Sequence, residues 1–331
     1  MAVYNKIQAP LGTSLKSLIK GFVLTKQTED KSPRTVEYYQ ENLGRFLWHA
    51  EKQEWPDDIR LLNEWHIREF LGYVATETHR WGISGNGSET SRHKASHSTV
   101  HHYFVALSCL FTWAVSEGFL QESPMAKIKV AKPKAKVVKP YTTEEIRKML
   151  AVCEYDYNHN AKFLGSRNQA IILVLLDTGV RLSELLQIEV GDIDNETGNI
   201  KVLGKGAKER MVRIGRTAQK VLWRYFMHRP DNGMKELWLT EEGEPLHERG
   251  VQSLVKRLKE RAGINSQGSV HKFRHSFAIS FLRTDKNVFN LQYLLGHSDL
   301  DMVRRYTSAL GMEDALEAHK TASPADRLGL K

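Results

Sequence analysis

The stretch KIKVAKPKAKVVKP, residues 127–140, limits the fold more than any other part of the chain. It holds six lysines and two prolines and no acid. Each proline removes a backbone donor and keeps the residue before it extended. The stretch therefore reads as an extended basic linker between two parts that must each bury a core. Both flanks are long enough, since 331 residues are natural for two domains. Apolar residues at 41% and charged residues at 26% are ordinary for a globular chain. The linker's role is open between a strap along phosphates and a spacer.

Lys and Arg total 48 against 39 Asp and Glu, a net charge of +9. That excess suits a polyanion partner, with a solvated basic surface as the plainer reading. Cys109 and Cys153 cannot make a disulfide framework, so buried thiols in a reducing compartment are expected. The longest apolar run, AIILVLL, falls far short of the roughly 20 residues of a membrane span. The N-terminus shows no signal-peptide core. A cytoplasmic location and no membrane partner are therefore expected.

The part before the linker reads as helical. Ser32 and Pro33 mark a helix start, followed by Tyr39, Leu43, Phe46, Leu47 and Ala50 at helical spacing. Asn63 caps a second helix in LNEWHIREFLGYVATET. GISGNGSETSRHKASH, residues 82–97, reads as a loop, and its role is open. Val100, Phe104, Leu107, Phe111 and Val115 mark one face of a third helix, which Gly118 stops.

The part after the linker opens with a helix capped by Thr142 or Thr143, with Glu145 nearby. SRNQAIILVLLDTGVRLSELLQI reads as a largely buried helix, a glycine break and a further helix. GNIKVLGKGAKERMVRIG reads as a β-hairpin. Three further helices follow. The expected fold class is mainly α: a helical N-terminal domain, and an α-rich second domain with a small antiparallel β-sheet. Its expected boundaries are 12–126, linker 127–140, 141–322, and a tail 323–331.

Several polar residues of the second part sit oddly. Arg181 emerges from an apolar helix and needs an anionic partner, either a carboxylate such as Glu184 or a phosphate. Lys205 lies between glycines at the hairpin tip, with Lys208 as its competitor for any contact there. His271 and Arg274 are three apart at a helix start, where anions are favoured. His275 reads as a core histidine. His297, taken alone, reads as a helix cap or core donor. Tyr306 follows Arg304 and Arg305, and a free tyrosine is only about 0.1% ionised at neutral pH. As a nucleophile it needs nearby cations and a proton acceptor.

Taken together, these groups can attack a phosphodiester. Arginine forks neutralise the non-bridging oxygens, a histidine or lysine protonates the leaving 5′-oxygen, and tyrosine conserves the bond as a covalent link. The motif order resembles the tyrosine recombinases, the phage-integrase family. TGVRLSELLQI resembles the first-arginine box, GKGAKER the lysine hairpin, and HKFRH the H-x-x-R-H box. LLGHSDLDMVRRYT resembles the segment leading to the nucleophilic tyrosine. KSPRTVEYYQENLGRF resembles part of the core-binding, SAM-like domain.

The resemblance implies that Arg181 and Arg274 grip the scissile phosphate, and that Lys205 protonates the leaving 5′-hydroxyl. It implies proton transfer between His271 and Tyr306, a phosphate hydrogen bond from His297, and a 3′-phosphotyrosine formed by Tyr306. It implies no cofactor and no metal. The partners it implies are double-stranded DNA carrying specific sites and a homotetramer on paired sites, monomeric when free. The short helix after Gly311, with Met312, Ala315, Leu316 and His319 on one face, must dock somewhere: on its own domain by the plainer reading, on a neighbouring protomer by the resemblance.

Met302 and Val303 stand where the family often has small hydroxyl residues, which is expected to alter helix packing rather than chemistry. No arm-binding domain is expected before the helical part, so the two-domain form looks closer to the simpler Xer-like and transposon-borne members than to the larger phage integrases. A type IB topoisomerase, a hairpin resolvase and a non-catalytic DNA-binding relative are the alternative functions.

Overall fold

The computed structural model describes residues 13–78, 94–133, 139–204, 208–285, 287–296, 316, 319 and 320. The chain forms two compact units, Met1–Ala135 and Lys136–Lys331.

Among the described residues of the first unit, four α-helices enclose one apolar core. They are α1 (Leu15–Thr28), α2 (Pro33–Lys52), α3 (Glu64–Thr76) and α4 (His97–Ser116). Ser14, Ser32, Asn63 and Ser96 cap them in turn, each side-chain oxygen accepting from backbone N–H groups of the first turn. Pro33 sits where its missing N–H costs nothing. Phe22, Phe46, Phe70 and Phe111 are fully buried, and Phe46 meets Phe70 edge-on at 5.0 Å between centroids.

Three features of this unit go beyond the sequence reading. Leu15, Leu18, Ile19, Phe22 and Val23 form a helical stripe that places α1 in the core. On α4 the buried face centres on Tyr103, Ala106, Leu107, Leu110 and Phe111, with Val100 and Phe104 only partly buried. This helix is apolar over so much of its surface that periodicity alone does not centre the face. Ile128 and Val130 pack on the same core, so the start of the lysine-rich stretch lies against the first unit.

In the second unit α5 (Thr143–Asn158) starts in a reciprocal cap between Thr142 and Glu145. Next come α6 (Lys162–Thr178), α7 (Leu182–Leu186), β1 (Asn199–Leu203), β2 (Glu209–Arg213), α8 (Arg216–Phe226), α9 (Glu248–Arg261), α10 (His271–Thr284) and α11 (Val288–Leu295). Helix α6 is the centre of the unit. It is buried on nearly every side and packs on α5, α8 and α10. The strands pair antiparallel from Asn199↔Arg213 to Leu203↔Glu209. Ile200, Val202 and Val212 point into the core while Lys201, Leu203 and Met211 point out, the period-two pattern of a half-buried hairpin. Ala278, Leu282, Leu291 and Leu295 form a smaller cluster that joins α10 to α11. No helix among the described residues is long and apolar enough to cross a membrane.

Candidate active site

The end of α6 determines where Arg181 stands. Gly179 adopts φ 59°, ψ 21° at the helix terminus, and a Cβ there would collide with the Phe277 ring. The chain reverses, and Arg181 becomes the N-cap of α7. Its own N–H donates to Glu184 Oε2 at 2.8 Å and its Nη1 donates to Glu184 Oε1 at 2.7 Å. The carboxylate that the sequence offered as one partner is thus in place. The Arg181 side chain is still 35% exposed.

Glu184 is held from a second side by Arg210 of β2. Arg210 Nη1 donates to Oε1 at 3.1 Å and Nη2 to Oε2 at 2.8 Å. Burial pushes the Glu184 carboxyl up, but the Arg210 hydrogen bonds, the Arg181 N–H and the charge of Arg210 outweigh it and bring it down to about 2. Glu184 is therefore a fixed anion between two arginines. Arg210 was not among the residues expected from sequence. Its only signal is an arginine two residues beyond Lys208 on an inward-facing strand position.

Helix α10 brings the H-x-x-R-H box to the same place. Arg274 is buried, and its Nη1 donates to the Gly179 carbonyl at 2.7 Å and its Nη2 to the Leu295 carbonyl at 2.8 Å. A guanidinium has five N–H donors, so these bonds fix its plane without exhausting it. Arg274 thus stands against the turn that carries Arg181. His271 is exposed at the first position of α10, one turn before Arg274. His275 is half-buried, and burial lowers its pKa, as do His271 and Arg274.

Lys272 is buried too, which the sequence did not indicate. Its Nζ donates to Ser266 Oγ at 2.7 Å, sits 3.7 Å from Glu145 and covers the Tyr141 ring at 4.2 Å. It works with Ser276, whose Oγ accepts from the Tyr141 N–H at 2.8 Å, to pin the chain to α10 just after Pro140.

Lys205, His297 and Tyr306 lie outside the described residues, as do Met302, Val303, Gly311, Met312, Ala315 and most of the 82–97 loop. The residues flanking Lys205 and His297 are described. A Cβ on Gly204 would lie 3.8 Å from Glu184 Oε1 and 3.5 Å from Arg210 Nη1. Gly296, at φ 62°, would carry one 3.1 Å from Arg210 Cδ. The chain therefore passes the Glu184–Arg210 pair immediately before Lys205 and again immediately before His297. The arrangement places two arginines, Arg181 and Arg210, on one buried carboxylate, with the partly exposed Arg181 on its outer side. Such a surface can bind a phosphate through charge-assisted hydrogen bonds.

Known proteins carry the same two units. Residues 140–311 match the family described as "Phage integrase family", and residues 18–119 match "Phage integrase, N-terminal SAM-like domain". The chain is 28% identical over 305 residues to the tyrosine recombinase XerC of Proteus mirabilis, covering 88% of this chain and 89% of that protein. Its fold resembles that of the XerH site-specific recombinase bound to a palindromic difH substrate, at 21% identity and TM-score 0.68, over 95% of this chain and 85% of the other. It also resembles a lambda integrase tetramer bound to a Holliday junction, at 16% identity and TM-score 0.65, over 88% and 77%. The first-arginine turn, the hairpin and the H-x-x-R-H helix all fall inside a family match that spans more than half of the sequence, and the chain belongs to the phage integrase family.

Proposed function

We propose that the protein is a site-specific DNA recombinase that cuts and rejoins double-stranded DNA through a 3′-phosphotyrosine. One observation carries the reading. Arg274 donates to the Gly179 carbonyl, 95 positions back and two residues before Arg181, so the two arginine boxes converge at one turn. Two guanidinium forks at one point suit the non-bridging oxygens of a single phosphate, on which charge grows as the phosphorus is attacked.

In this reading Tyr306 Oη attacks the scissile phosphorus and its proton passes to His271. The bond to the 5′-oxygen breaks, and Lys205 supplies the proton that makes a 5′-hydroxyl. His297 donates to the phosphate. A 5′-hydroxyl of the partner strand then attacks the phosphotyrosine, restoring tyrosine and a phosphodiester, so no bond energy is lost to water. A helical domain over residues 12–126 would hold the DNA with the basic stretch 127–140, and residues 141–322 would carry the chemistry. The names of the similar proteins, a tyrosine recombinase, a site-specific recombinase and an integrase, favour strand exchange over relaxation of supercoils. The similar tetramer on a Holliday junction supports assembly of four copies of this chain on paired sites.

The test is a nicked suicide substrate carrying the protein's recombination site. The wild type should form a covalent adduct that survives denaturing electrophoresis, and Tyr306→Phe should bind the same DNA and form none. An adduct in the Tyr306→Phe protein would remove Tyr306 as the nucleophile.

A further inference from the structure

We propose that Arg210 is a positioning residue for this site, its single guanidinium holding the Arg181 turn, the β1–β2 hairpin and the end of α11 in register. The inference rests on the proposed function in one respect: it is there that these three segments carry residues acting on one phosphate.

Arg210 makes three directed bonds. Two go to the two oxygens of Glu184, which in turn holds both the backbone and the side chain of Arg181. The third runs from Nε to the Leu294 carbonyl at 2.9 Å. Arg274 takes the next carbonyl, that of Leu295, so the last turn of α11 is held by arginines from two other segments. A Cβ at Gly204 or Gly296 would lie against the Arg210 side chain, and Lys205 and His297 are the immediate successors of these glycines. The Arg210 side chain is 8% exposed, so it acts through its neighbours rather than on DNA itself.

A planar guanidinium with fixed N–H directions can serve a carboxylate and a carbonyl together, and a lysine ammonium cannot reproduce that fork. A buried ion pair is also a weak source of net stability, since apolar residues of similar volume often do as well. The place of this pair, at the meeting of three segments rather than within the apolar core, is what gives it a task.

The test uses full-length Arg210→Lys, Glu184→Gln and the double variant, with two readouts. The first is single-turnover adduct formation at saturating nicked DNA. Each single variant should slow it by about tenfold to a hundredfold, the size of a misplacement on the order of an ångström, with DNA affinity little changed. Because Arg210 reaches Arg181 through Glu184, the double variant should be much less impaired than the product of the two single effects. Independent, multiplying effects would overturn the proposal, as would a wild-type rate in folded Arg210→Lys.

The second readout is hydrogen exchange, which does not depend on the reaction. Arg210→Lys should speed exchange at residues 203, 204, 208 and 294–296 while the amides of α6 stay protected. Equal acceleration in α6 would mean general destabilisation and overturn the proposal. Should Arg210→Lys not fold, the isosteric Glu184→Gln decides alone: an unchanged adduct rate, or unchanged exchange in the Arg181 turn, overturns it. A wild type that forms no adduct would instead defeat the recombinase reading, while exchange still decides the positioning.

Discussion

Among the described residues, the first unit buries a single polar side chain, His49, whereas the second buries eight, from Ser166 to Ser276. The four-helix unit is held by rings and aliphatic groups, and its charges stay outside. In the second unit Arg167, Glu184, Lys272 and Arg274 lie inside, each with partners. Burying a charge is costly unless it is paired and hydrogen-bonded. Three of these four residues lie in the first-arginine and H-x-x-R-H boxes.

The largest test of that contrast is Phe46→Ala. It removes a fully buried ring and should cost about 3–5 kcal/mol. Calorimetry of the whole chain should show the first unit's transition falling and the second unit's unchanged, with the adduct rate of DNA-bound protein preserved. Equal loss in both transitions would show that the two cores are not independent.

Glu184→Gln tests the other unit through pH. The folded carboxyl sits at about 2 against an ordinary 4.5, so the folded state favours the ionised form. Its contribution, about 3 kcal/mol, is complete above pH 4.5 and is lost as the pH falls from 4.5 toward 2. Melting curves across that window should lose this part of their pH dependence in the variant. The variant should also be less stable near pH 7, because Arg210 keeps its burial and loses its counter-charge. An unchanged pH dependence would mean that Glu184 ionises in the folded protein as it does in water.

Arg181→Lys and Arg274→Lys should each lower cleavage by roughly a hundredfold, comparable to losing one oxyanion donor, with DNA affinity little changed. Their stabilities should separate. Arg274 satisfies two buried carbonyls, and leaving such a group unpaired costs about 1–3 kcal/mol. Arg181 is partly exposed, so its replacement should barely move the melting temperature. Matching melting temperatures would blur the distinction between buried and accessible charge.

The smallest effect is expected from the exposed Lys127, Lys129, Lys132 and Lys139. Each phosphate contact removed by mutation to alanine should lessen the salt slope of DNA binding by about 0.9. An unchanged slope would leave the basic stretch as a spacer.

Much of this architecture was legible in advance, for local reasons. Ser32 with Pro33, Asn63, and Thr142 with Glu145 are caps whose partners lie within three residues, so the pattern contains the whole interaction. The hairpin could be read from its alternation and glycines. Arg181, His271 and Arg274 stood out because cationic groups were odd where they fell. Glu184 was visible as a partner because it is three residues from Arg181. The rest depended on distance. Arg210 pairs with a residue 26 positions away, Arg274 reaches a carbonyl 95 positions back, and the Lys272 ammonium lies over the Tyr141 ring of the chain that follows the linker.

The sequence by itself determined the helix starts at Ser32, Asn63 and Thr142, the hairpin and the residue types from which a phosphate site is made. These follow from backbone geometry and from side chains reaching one turn along their own element. Only the tertiary structure decided that Glu184 is shared by two arginines, that Arg210 meets the end of α11, and that Lys272 turns inward while His271 stays exposed. The physical reason is that charge burial depends on which distant segments close over a side chain. That closure is decided by the packing of α6, α10 and the hairpin together, and no single element encodes it.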